Sequence, residues 1–111
     1  MRVVINKEGA VTVVKPMGSL VSGELEDMEL HLHQLTQNGV KRIIINMTEV
    51  TCIDSAGLEI INRCRKQLDQ RGLRLKLCNM NELTRNIFDL TRLAPQFEIF
   101  PDTAAAVRSF L

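Results

Sequence analysis

Ser55 is the side chain with the clearest opening for chemistry. It lies in Ile53-Asp54-Ser55-Ala56-Gly57-Leu58, where a β-prone connector meets a predicted helix start. Asp, Ser, Ala and Gly are small or cap-forming, so nothing bulky blocks approach to the backbone. Asp54 or Ser55 suits the N-cap, and Gly57 suits close packing. A nucleophile elbow needs Gly two positions before its serine, but Ile53 stands there. No histidine is near Ser55 in sequence. His31 and His33, the only two histidines, are two residues apart. On a helix that spacing sets them about 200° apart, so they share no ligand face. Cys52, Cys64 and Cys78 form no metal or redox motif. Each sits in an apolar segment and reads as a small core residue in a reducing compartment. No GxGxxG or GxxxxGK[ST] pattern occurs, so nothing points to a bound nucleotide. Neither metal nor cofactor is expected.

The elements that must position Ser55 belong to one small domain. The 111 residues suit a single unit, residues 1–111, able to bury its own core. Net charge is +1, with 45% hydrophobic residues, which excludes intrinsic disorder. No apolar run approaches the ~20 residues of a membrane span, so no membrane insertion is expected. Met1-Arg2-Val3-Val4-Ile5-Asn6-Lys7 is apolar for only three residues and reads as no secretory signal. A cytoplasmic location follows as the expectation. The near-zero charge and the absence of Tyr and Trp argue against nucleic acid as a partner.

Val-rich runs at 2–6 and 10–17 predict two strands joined by a hairpin at Lys7-Glu8-Gly9. Pro16 suggests an edge or a frayed end there. Residues 18–23 read as a loop. A helix is expected from Ser22, as N-cap, to Gln37, with Leu25, Met28, Leu32 and Leu35 on one stripe. Residues 41–47 hold the triplet Ile43-Ile44-Ile45, the mark of a strand buried on both faces. A second helix starts at Asp54 or Ser55 and runs to Arg71-Gly72, its stripe made by Leu58, Ile61, Cys64 or Arg65, and Leu68. Alternation at 73–77 predicts a fourth strand ending at Cys78. Asn79 to Glu82 resembles a capping box ahead of a third helix, whose core side would be Leu83, Ile87 and Leu90. A short strand at 97–100 and a helix at 103–110, capped by Asp102, close the chain. Strands alternating with helices give the fold class: α/β, a mixed, mostly parallel sheet of four to five strands flanked by about four helices. Function in such sheets concentrates beyond the carboxyl ends of strands, here residues 18–23 and 48–57.

The stretch Met47-Thr48-Glu49-Val50-Thr51-Cys52-Ile53-Asp54-Ser55-Ala56-Gly57-Leu58 resembles the signature of the STAS family, the sulphate transporter and anti-sigma factor antagonist domains. Gly18-Ser19-Leu20 is similar to the family's Gly-x-Leu after its second strand. Lys41 to Asn46 is similar to the buried strand before the signature, and Leu83 to Leu93 to the third helix. The resemblance covers essentially the whole chain. It implies a non-enzymatic regulator of the stand-alone anti-sigma factor antagonist type. Its unphosphorylated form would bind a serine kinase that doubles as an anti-sigma factor. Phosphorylation of the serine after the signature Asp, here Ser55, would release it, and a phosphatase would reset it. The docking face would comprise Gly18, Ser19, Leu20, Val21, Ser22, Asp54, Ala56, Gly57 and Leu58.

Two positions depart from the family's pattern. Val21 replaces an acidic residue or Thr, and Glu59 stands at a position that is often small. The more apolar Val21 suits an alternative, a constitutive STAS interaction subunit of a bacterial lipid-transport ATPase without phosphorylation. An enzyme using Ser55 with a histidine is the third reading and has least behind it.

Overall fold

The computed structural model describes all 111 residues. A hairpin opens the chain, β1 (Val3–Glu8) and β2 (Val11–Pro16). Then come α1 (Glu26–Gln37), β3 (Ile43–Asn46), α2 (Ser55–Asp69), β4 (Lys76–Cys78), α3 (Glu82–Leu90), β5 (Glu98–Phe100) and α4 (Thr103–Arg108). The five strands lie in sequence order across one sheet. β1 pairs antiparallel with β2, and every other pairing is parallel. This is the mixed α/β sheet with four helices that the sequence predicts.

Register explains the isoleucine triplet. Ile44 stands opposite Val13 of β2, and Ile45 opposite Leu77 of β4. Ile43 and Ile45 point into the large core with Val14, Leu77 and the buried sides of α1, α2 and α3. Ile44 points the other way and joins Val11, Val13, Cys78 and Ala106 beneath α4. A strand covered on both faces needs apolar residues at every position, not at alternate ones.

α4 is fastened to its face of the sheet by a buried lysine. The alternation at 73–77 places Lys76 on a solvent side, yet it is buried. Its Nζ bonds Ser109 Oγ at 2.7 Å and lies 3.8 Å from the Phe110 ring centroid. Glu98 Oε1 is 3.5 Å away. The aliphatic stem fills apolar space while the ammonium finds a hydroxyl, a carboxylate and a ring face.

Several boundaries differ from the sequence expectations. The hairpin turn is Gly9-Ala10, because Glu8 still pairs with Val11. Gly9 takes φ +63°, a left-handed conformation that glycine adopts without strain. β2 is interior, not an edge, but its parallel pairing to β3 covers only Thr12 to Val14, so Pro16 lies beyond it. β4 shrinks to three residues and β5 to three. α1 begins at Glu26, with buried Leu25 as an N-cap that makes no side-chain bond. Ser22 therefore caps no helix. Asn81 caps α3, accepting from the Thr84 N–H at 2.7 Å, whereas Asn79 turns through φ +60° before it. The core side of α3 is Thr84 and Phe88, not Leu83 and Leu90.

Candidate functional site

Parallel pairing of β2, β3 and β4 sends the loops that follow them to the same end of the sheet. The loop after β2 and the signature loop after β3 meet there through backbone hydrogen bonds. The Leu20 N–H donates to the Cys52 carbonyl at 3.0 Å, and the Asp54 N–H to the Leu20 carbonyl at 3.2 Å. Leu20 and Ile53 thus form one isolated parallel bridge. Their side chains are buried and anchor both loops in the core.

Asp54 is the N-cap of α2, which settles the choice between Asp54 and Ser55. Its Oδ1 accepts the Gly57 N–H at 3.0 Å. Its Oδ2 reaches across to the other loop and accepts the Ser22 N–H at 2.8 Å. One carboxylate therefore caps the helix and ties residues 18–22 to it. The two amides, Ser22 first and Gly57 second, hold the Asp54 carboxyl below its ordinary pKa, against a smaller opposing effect of partial burial. The side chain is a fixed anion at neutral pH.

Ser55 follows as the first residue of α2 and is exposed. Two flanks hold its position. Asp54 fixes the backbone before it. Gly57 fixes the backbone after it, because a Cβ there would overlap the Leu20 carbonyl oxygen and sit 2.8 Å from Ile53 Cγ1. The helix packs onto the loop as closely as backbone allows. The helix axis presents its positive end to a group on Ser55.

The site residues expected from sequence fall into two sets. Leu20, Gly57 and Leu58 are buried and shape the rim from beneath. Ser22 and Ser55 are exposed, and Gly18, Ser19, Val21, Asp54 and Ala56 are half-buried. This second set is what an approaching surface meets. Three further residues join the site: Thr51 and Cys52, which lie inside the signature stretch but carry no separate signal there, and Asn81, which the sequence marks only as part of a capping box. Ser19 Oγ lies 2.7 Å from Thr51 Oγ1, and Cys52 Sγ donates to Ser19 Oγ at 3.3 Å. The Asn81 amide donates to the carbonyls of Val50 and Thr51 at 3.2 and 3.1 Å, fastening the start of α3 to the signature loop. A groove of about 330 Å³ between α1 and α2 is lined by Leu30, His33, Ile60 and Arg63 among others, but not by Ser55.

The arrangement offers an exposed hydroxyl next to a carboxylate, Asp54, whose two oxygens are engaged by the Ser22 and Gly57 N–H groups. His33 lies at that groove and not at the Ser55 rim. The Ser55 hydroxyl is exposed and accessible to another protein.

Residues 2–106 match the family model described as STAS domain. A Bordetella bronchiseptica protein, BtrV, assigned as an anti-sigma factor antagonist, is 24% identical over 110 residues, covering 99% of this chain and 95% of that one. Among solved structures, one from Thermotoga maritima, also assigned as an anti-sigma factor antagonist, superposes with a TM-score of 0.91 at 19% identity. It covers 96% of this chain and 92% of that one. The Bacillus cell fate determinant SpoIIAA, solved in its phosphorylated form, superposes with a TM-score of 0.75 at 19% identity, covering 97% and 99% of the two chains.

Proposed function

The chain belongs to the STAS domain family, and from that membership and the Ser55 rim we propose that it is a regulatory phosphoswitch of the anti-sigma factor antagonist kind. The unphosphorylated form binds a serine kinase that is also an anti-sigma factor, and phosphorylation of Ser55 releases it. The observation that carries the reading is the exposed Ser55 hydroxyl at the first position of α2, between an Asp54 clamp and a glycine that admits no side chain.

The reaction belongs to the kinase. Ser55 Oγ attacks the γ-phosphorus of ATP, the bond to the β-phosphate oxygen breaks, and ADP leaves. The hydroxyl proton passes to a base on the kinase. The phosphate adds roughly −1.5 to −2 charge. A hundredfold loss of partner affinity needs only ~2.7 kcal/mol, which burying a dianion in an interface readily supplies. No refolding of the chain is required. A phosphatase reverses the modification by hydrolysis.

The test is intact-mass analysis of the purified chain after incubation with ATP and a soluble extract of its own cell. The expected result is one added phosphoryl group on the wild type and none on Ser55→Ala. No addition, or equal addition to both, discards the reading. A stable complex with a transport ATPase subunit, unchanged by Ser55→Asp, replaces it with the constitutive-subunit reading that the half-buried Val21 suits.

A further inference from the structure

A cleft of about 520 Å³ opens at the end of the sheet opposite Ser55. Ser55 follows the carboxyl end of β3, whereas Lys41 and Arg42, which line the cleft, precede its amino end. The β1–β2 turn and the C-terminal end of α1 supply the other walls. Register decides which strand side chains meet there. Lys7 stands opposite Thr12 across the hairpin, and Thr12 stands opposite Ile43. Paired residues share a sheet face, and Ile43 belongs to the large core on the α1 side. Lys7 and Thr12 therefore point toward α1, while Glu8, the next residue of β1, points to the other face.

Lys7, Lys41 and Arg42 are exposed, and none of them pairs with a carboxylate. No Asp or Glu lines the cleft. Beneath the cations, Thr12 is only 5% exposed, and its hydroxyl makes no hydrogen bond within the protein. Buried hydroxyls ordinarily have a partner. Thr84 holds the one unpartnered side-chain oxygen that is fully enclosed, so the Thr12 hydroxyl remains reachable from the cleft. The C-terminal end of α1 does not present a row of free carbonyls to an anion. The Gln34, Leu35 and Thr36 carbonyls accept the Asn38, Val40 and Gly39 N–H groups, and Arg71 donates to Thr36 as well. Half-buried Leu35 and Val40 form an aliphatic wall beside the cations.

We propose that this cleft binds a small aliphatic phosphate monoester, with its phosphate held by Lys7, Lys41, Arg42 and the Thr12 hydroxyl and its carbon chain against Leu35 and Val40. A dianion with three acceptor oxygens matches three cations and a hydroxyl donor. A carboxylate brings one charge and two oxygens and would leave part of the set unused. The planar Arg42 fork suits two phosphate oxygens at once. No aromatic side chain lines the cleft, so nothing there stacks on a nucleotide base. The volume falls within the range of about 300–1,000 Å³ that small-molecule sites occupy, and a concave shape suits a soluble molecule better than a bilayer surface. The proposal is independent of Ser55 and of what acts on it.

The test is calorimetric titration of the full chain with n-hexyl phosphate, beside inorganic phosphate and n-hexanol. The ester should bind more tightly than either. Lys41→Gln/Arg42→Gln should weaken it by about tenfold or more, the effect of losing hydrogen bonds to a charged group. Thr12→Val, which keeps the side-chain shape and removes the donor, should weaken it too. Lys66→Gln/Arg108→Gln removes the same charge from exposed positions outside the cleft and should leave the affinity unchanged. No binding of the ester by the wild type overturns the proposal, as does inorganic phosphate binding equally well. Equal loss in the two double variants would mean general attraction to positive charge and overturns it. Unchanged affinity in Thr12→Val or in Lys41→Gln/Arg42→Gln does the same. Retention on phosphatidic acid vesicles without binding of the soluble ester replaces the small molecule with a membrane surface and overturns it as well.

Discussion

Gly57 lies against the Leu20 carbonyl with no room for a Cβ between them. The contact joins the first turn of α2 to the loop after β2, and it is backbone against backbone. Neither side can yield by a rotamer change. Gly57→Ala must therefore push α2 or the loop outward, which also strains the Leu20–Ile53 bridge. Overpacking of this kind costs about 1–3 kcal/mol, roughly 4–18 °C in Tm for a domain of this size. Thermal unfolding of the purified variant checks it. Because the displaced backbone carries Ser55, the proposed phosphorylation of Ser55 should slow as well, and the initial rate under saturating ATP measures that.

The Asp54 clamp predicts a pH dependence with a definite sign. Its folded pKa is depressed, chiefly by the Ser22 N–H and then by the Gly57 N–H. The stabilisation is fully present above the unfolded value, near pH 4, and is lost as pH falls through the folded value. Asp54→Asn keeps one acceptor oxygen but turns an NH₂ toward an N–H donor, so one of the two bonds fails. The variant should melt below the wild type at neutral pH. The gap should narrow as the solution is acidified, since protonated Asp54 also loses an acceptor. Melting curves of both proteins from neutral to strongly acid pH decide the matter. A gap that stays constant or widens in acid contradicts the clamp.

The two faces of α3 should respond oppositely to substitution. Phe88 is fully buried and meets Phe97 edge to face, with ring centroids 5.5 Å apart. Phe88→Ala should cost about 3–5 kcal/mol through lost contacts and the cavity left behind. Leu83→Ser and Leu90→Ser should each stay within about 0.5 kcal/mol of wild type, as surface changes do. Urea denaturation of the three variants separates these magnitudes easily. Destabilisation of both leucine variants by several kcal/mol would place these leucines in the core after all.

That contrast also shows what a sequence can reveal here. The Ile43-Ile44-Ile45 triplet is legible because a strand covered on both faces has no polar position to alternate with. The cap of α2 is legible to within one residue, Asp54 or Ser55, because capping is local, closing over three residues; the structure gives Asp54. The start of α1 is not, because Ser22 looks like a cap while its N–H is taken by Asp54, 32 positions along the chain. The apolar spacing in α3 misleads for a related reason. Periodicity gives the angle of an apolar face but not what lies opposite it, and Phe88 with Thr84 occupies the inward side. Lys76 is the same lesson reversed. Alternation sends it to water, and only the Phe110 ring, Ser109 and Glu98 explain its place under α4.

Charge at Ser55 should leave the fold nearly unchanged while altering recognition. A negative group at the first position of α2 gains about 0.3–1 kcal/mol from the helix dipole. Against it stand Glu59, one turn on, at roughly 0.2–0.5 kcal/mol, and the Asp54 carboxylate beside it. Glu59 is partly occupied, since its Oε1 pairs with Arg63 at 3.2 Å. The opposing effects are of similar size, so Ser55→Asp should shift Tm by no more than about 2–3 °C in either direction. Adding Glu59→Gln removes the repulsion and should raise the Tm of Ser55→Asp more than it raises that of the wild type. A double-mutant cycle of the four proteins by thermal unfolding isolates this coupling, expected at about 0.2–0.5 kcal/mol. The same four proteins titrated with the kinase complete the comparison. Affinity should follow the charge at position 55 rather than the Tm, because the penalty arises in the interface and not within the chain. If affinity instead tracks Tm across the cycle, the switch acts by loosening α2.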